Sequence, residues 1–111
     1  MFIRLWVPFT LFAVVLANFN PALADEPFTI VFKDHLIVPP KLQVPAGKKI
    51  TLVVDNQDAI AQEFESHSLK RQKVIPAKSK ATIKIGPLKP GSYEIFGEYH
   101  ESTAQGLIIA E

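Results

Sequence analysis

The feature that most constrains this chain is its punctuation. From residue 28 onward, apolar runs of four to seven residues alternate with Pro- and Gly-rich breaks. "FTIVF", "HLIVPP", "KLQVPAG", "KKITLVVDN", "EFES", "KRQKVI", "KATIKIG", "SYEIFGEY" and "QGLIIAE" follow one another with no stretch of helical periodicity between them. In "KKITLVVDN", Ile50, Leu52 and Val54 share one face of a strand and Thr51 and Val53 the other. In "KATIKIG", Ile83 and Ile85 oppose Lys80, Thr82 and Lys84. A period of two with turn signals about every 8–12 residues predicts an all-β sandwich or Greek-key barrel of about eight strands. Pro39-Pro40 either break the strand before them or confine it to an edge. Tyr93, just after the "KPGS" corner, is placed to return its hydroxyl to the backbone as a tyrosine corner, or else to leave it solvated.

The first 24 residues read differently. Arg4 precedes an apolar run over 5–17, and the stretch closes on Ala22-Leu23-Ala24. That is the pattern of a secretory signal cleaved before Asp25. The run is shorter than the roughly 20 apolar residues of a membrane span. The expectation is therefore an exported, periplasmic domain over 25–111 that keeps no stable membrane span; the alternative is an uncleaved anchor. Without Arg4 the basic and acidic residues balance, and no basic stripe suited to nucleic acid is present.

The chain contains no cysteine, so neither a disulfide nor a thiolate ligand is available. Its one methionine is Met1. There is no Gly-rich phosphate loop, HExxH or nucleophile elbow, so no hydrolase or transferase signature. The remaining ligating residues are His35, His67 and His100, with Glu63, Glu65, Glu98 and Glu101 near them in sequence. In a strand, Glu63 and Glu65 point to one face and Gln62 and Phe64 to the other. With Phe64 in the core, the carboxylates face outward or into a rim pocket. They stand either as a solvated acidic pair or beside a shared cation or proton. Taken alone, His100 reads more simply as a surface histidine than as a ligand. Imidazole and carboxylate together suit copper(II), iron or zinc better than copper(I), and a His₂Cys blue-copper centre cannot form.

Four segments carry a family likeness: "LQVPAGKKITLVVDN" (42–56), "QEFES" (62–66), "KPGSYEI" (89–95) and "QGLIIAE" (105–111). In order and spacing they resemble a cupredoxin-like domain. More narrowly, they resemble the cupredoxin domain of EfeO-type periplasmic iron-uptake proteins and the small cupredoxins that accompany Ftr-type iron permeases. The resemblance places the usual first histidine ligand on Gln62, and the EfeO-type Glu-aromatic-Glu pattern on Glu63-Phe64-Glu65. It places the usual ligand cysteine on Gly97 and the next histidine ligand on His100. Around Thr103, Ala104 and Gln105 nothing matches the axial methionine. An early EfeO-type cysteine falls on Ile37, two residues from His35.

The resemblance implies a metal site without sulfur, built from His35, Glu63, Glu65, Glu98 and His100 converging at one end of the sandwich, with His67 supporting it or lying on the surface. It implies copper or iron as the metal, a ferroxidase-like, electron-transfer or hand-over role, and an iron permease complex or a periplasmic iron-binding protein as partner. The competing expectation is a metal-free interaction module of the same fold.

Overall fold

The computed structural model describes residues 26–111. The proposed signal over 1–24 lies outside the described residues. Among the described residues there are nine strands: β1 (Phe28–Lys33), β2 (Leu36–Val38), β3 (Lys41–Val44), β4 (Ile50–Asn56), β5 (Gln62–Ser66), β6 (Arg71–Ile75), β7 (Lys80–Ile85), β8 (Gly91–Gly97) and β9 (Gln105–Ala110). They form two packed sheets, one in the order β2-β1-β4-β7 and the other β3-β9-β8-β5-β6. Two parallel pairings, β1 with β4 and β3 with β9, join strands distant in sequence and give the Greek-key connectivity expected of the pattern.

The period-two reading holds residue by residue in the central strands. In β4, Ile50, Leu52 and Val54 are buried and the residues between them are half-buried. Their partners across the antiparallel ladder with β7 include Ile85 and Ile83, so both strands bury the same face. From the other sheet Phe64, Ile95 and Ile108 meet Phe32, Leu52 and Val54 in one core, all at 2% exposure or less. Burying a side chain of this size stabilises by about 1.5–3 kcal/mol. In a chain without cysteine, such packing takes the place of the covalent cross-links on which many small domains rely.

Three details position the site. β2 is only three residues long and, as Pro39-Pro40 foretell, lies at a sheet edge. Its hairpin with β1 turns on Asp34 and His35, both with positive φ (54° and 61°). Two consecutive residues of this kind make the two-residue turn whose twist matches a β-hairpin. Asp and His tolerate that conformation better than most residues. The strand expected through Tyr99 ends instead at Gly97, and Glu98–His100 form a 3₁₀ turn. The cause is a closed loop: Gly97 N–H donates to Ala104 O at 2.8 Å, and Ala104 N–H donates to His100 O at 2.8 Å. Lastly, the Tyr93 hydroxyl donates to Lys89 O at 2.6 Å, the backbone-pinned form of the two expected.

Candidate metal centre

The predicted ligands fall into two groups on opposite faces of β5. Gln62, Phe64 and Ser66 point inward, with exposures of 1% or less, while Glu63 and Glu65 point outward. Residues 62 and 63 therefore cannot serve one site. Of the five expected ligands, the alternation of the five-residue β5 brings Glu63 and Glu65 together with Glu98 on one face and leaves His35 and His100 beside Gln62 on the other.

The inward group caps one end of the sandwich. Asn56, fully buried at the end of β4, organises the loop that follows. Its Nδ2 donates to Ile60 O, Ile75 O and Pro76 O at 2.9–3.1 Å, and its Oδ1 accepts from Asp58 N–H at 3.0 Å. Asp58 is thereby turned toward the β1–β2 hairpin. Its carboxylate accepts the successive N–H groups of Asp34 (2.7 Å) and His35 (3.1 Å), a small backbone nest for an anion. Partial burial works to raise the Asp58 carboxyl. The two backbone donors, the Gln62 amide and the nearby His35 outweigh it and hold the group below the usual 3.8.

Gln62 then joins the histidines. Its Nε2 donates to Asp58 Oδ2 at 2.8 Å, which fixes the amide's orientation because a carboxylate can only accept. The second amide hydrogen faces His35 Nδ1 and the amide oxygen faces His100 Nδ1, both at 3.3 Å. Neutral His35 thus accepts at Nδ1 and neutral His100 donates from Nδ1, so the two rings take opposite tautomers. The rings stack with centroids 3.9 Å apart and planes 19° from parallel. Thr103 closes the arrangement by donating to His35 O at 2.7 Å.

The outward group lies where β5, β8 and the 3₁₀ turn meet. Carboxylate oxygens of Glu63, Glu65 and Glu98 all lie within 4.8 Å of one another. Glu63 is 7% exposed and accepts a hydrogen bond from Gln72 on β6. Glu65 Oε1 is buried with no hydrogen-bond partner, while its Oε2 lies 3.8 Å from His67 Nδ1. Hydrogen bonding to Glu65, and then the charge of Glu65, raise the Glu98 carboxyl above its usual 4.5. His67 packs its ring against Phe96 at 5.1 Å and stands at the margin of this group. Among the described residues, these three glutamates are the one set of three or more ligating side chains close enough to share an ion.

The profile of the cupredoxin-like domain matches residues 6–110. The chain belongs to the cupredoxin-like domain family. A curated relative, the uncharacterized protein RP394 of Rickettsia prowazekii (strain Madrid E), is 49% identical over 80 residues, which are 72% of this chain. The chain spans 64% of that relative's length. Among solved structures, amicyanin from Paracoccus versutus superposes with a TM-score of 0.62 at 16% identity, over 78% of this chain and 82% of its own. An amicyanin variant in its reduced Cu(I) form gives 0.64 at 15%, over 78% and 84%. A chain of a heme-copper terminal oxidase dimer gives 0.65 at 15%, over 78% and 65%. At these identities the likeness is one of fold.

This cupredoxin-like domain does not fit a blue-copper ion. No thiolate is available, and both histidine Nδ1 atoms face the Gln62 side chain. At Gly97, on which the family resemblance places the ligand cysteine, the space is filled. A Cβ there would fall 2.9 Å from both the Phe32 ring and the Ala104 methyl. Sequence reasoning also missed Asp58, the residue that orients Gln62. Its signal was the "DNQDA" loop, in which an Asx residue two positions after Asn56 favours a turn held by side-chain bonds.

Proposed function

We propose that this domain binds iron at Glu63, Glu65 and Glu98 and serves outside the cytoplasm as an accessory of iron uptake, passing the ion to a permease complex or another iron-binding protein. The observation that carries the reading is the glutamate trio itself, with oxygens within 4.8 Å and one of them, Glu65 Oε1, buried without a partner. A buried carboxylate oxygen without a hydrogen-bond partner is costly, and a bound cation would satisfy it in place of the proton that Glu98 can otherwise share with Glu65. Carboxylate oxygens are hard donors suited to iron. Glu63 is held by Gln72 and Glu65 by its place in β5, so the strand supplies two preset ligands and the 3₁₀ turn brings the third. The EfeO-like Glu-aromatic-Glu pattern supports the link to iron.

Hand-over is favoured over oxidation. Removing an electron from ferrous iron requires an acceptor, and without cysteine no blue-copper centre is available to provide one. Copper named in the titles of the structural neighbours therefore enters no step here. Native mass spectrometry with ferrous iron tests the proposal: one iron per chain is expected, with loss in Glu65→Gln.

A second reading, a metal-free interaction module, draws on one observation. Leu36, Val38, Ile60 and Tyr99 are 46–51% exposed, and all lie on β2 or in the loops beside His35 and His100. Iron binding by the wild-type domain would decide against it.

A further inference from the structure

The end of the sandwich remote from His35 and His100 is charged in the opposite sense. β1 and β4 run from this end, at Phe28 and Ile50, to the histidine end, at Lys33 and Asn56. Here a cleft of about 590 Å³ is lined by Lys48, Lys49, Arg71 and Lys84, with Glu26 as its one acidic residue. Among the described residues none of the four cations lies within 4.0 Å of a carboxylate; the ion pairs involve His35 and His67. Even with Glu111 counted, whose main chain bonds Ala46 nearby, and Glu65, which lines a neighbouring cleft with Arg71, cations outnumber acids among the described residues. The cleft at the histidine end is the reverse, with Asp34, Asp55 and Asp58 against Lys33 and Lys78.

Arg71 is fixed in place. Its Nε donates to Lys84 O at 2.9 Å and its Nη1 to Lys70 O and Leu69 O at 3.1 and 3.3 Å, tying β6 of one sheet to β7 of the other. Its Nη2 has no partner among the described residues. The remaining Nη2 hydrogens, beside three ammonium groups, can donate to the oxygens of a phosphate ester. Glu26, where the chain leaves the apolar leader read over 5–17, lies in the same lining.

We propose that this cleft docks the domain on an anionic lipid surface through phosphate head groups, leaving the histidine end turned away from the bilayer. Each basic residue near such a surface strengthens attachment about five-fold.

The test is vesicle co-sedimentation of residues 25–111, within which both sheets and the core are complete, using phosphatidylcholine vesicles with and without phosphatidylglycerol. Binding only to the anionic vesicles is expected, reversed by about 0.5 M salt. The Lys48→Glu/Lys84→Glu variant should bind at least about ten-fold more weakly, whereas Lys33→Glu/Lys78→Glu, of equal net charge, should bind as the wild type does. No binding to anionic vesicles, or the same loss in both variants, would overturn the proposal. Binding of glycerol phosphate without vesicle binding would also overturn it, in favour of a site for a soluble phosphate ester.

Discussion

The imidazoles of His35 and His100 lie stacked 3.9 Å apart, each with its Nδ1 turned to the same amide, that of Gln62. Where the family resemblance places a histidine ligand, this chain has a side chain that bonds both rings. The cap is therefore a stability element. Gln62→Leu keeps the volume and removes the bonds, leaving both Nδ1 atoms without the amide and Asp58 Oδ2 with the His35 N–H alone. A loss of about 1–3 kcal/mol is expected in denaturant unfolding, with iron binding retained.

Gly97 is required for steric reasons, since its φ of −95° suits any residue. Gly97→Ala puts a methyl 2.9 Å from Phe32 and Ala104. Overpacking of this kind costs about 1–3 kcal/mol. Because Gly97 begins the loop that carries Glu98, weaker iron binding should accompany the lower unfolding midpoint.

The tyrosine corner gives a cleaner measurement. Tyr93→Phe removes only the hydroxyl bonded to Lys89 O. A loss of about 0.5–1.5 kcal/mol is expected in urea, with no change in metal binding.

Two carboxyls should titrate in opposite directions. Ser68 donates to Glu94 from its hydroxyl and its backbone N–H, and these bonds hold Glu94 below its usual 4.5 despite partial burial. A depressed carboxyl adds stability that is present above the unfolded value and lost as pH falls through the folded one. Glu94→Gln should therefore flatten the loss of stability below about pH 4.5. Glu98 is raised, so its contribution runs the other way: stability declines as pH rises past 4.5. In carbon-detected NMR, Glu98 should titrate above 4.5 in the wild type and return toward it in Glu65→Ala, which removes both the bond and the charge.

Much of this was legible in the residues. The alternation of β4 and β7 exposed the sandwich, and the spacing of Glu63 and Glu65 put them on one face with Phe64 on the other. The division of the candidate ligands was implicit in that same alternation, since Gln62 and Glu63 are neighbours in a strand. What the sequence could not show is where loops close. Asp34 and His35 form a tight turn because Asp58, 23 residues beyond His35, binds their N–H groups. Glu98 reaches Glu65 because the chain turns at Gly97, a turn set by Ala104. These depend on contacts across the fold that no local propensity encodes.

In the proposed function the glutamates, and not the histidines, hold the iron. Iron K-edge X-ray absorption on the iron-loaded domain tests it most directly. The account predicts a first shell of oxygen alone, without the outer-shell scattering of imidazole, and an unchanged spectrum in His100→Ala. Imidazole scattering that disappears in His100→Ala would contradict it and return the site to the stacked pair.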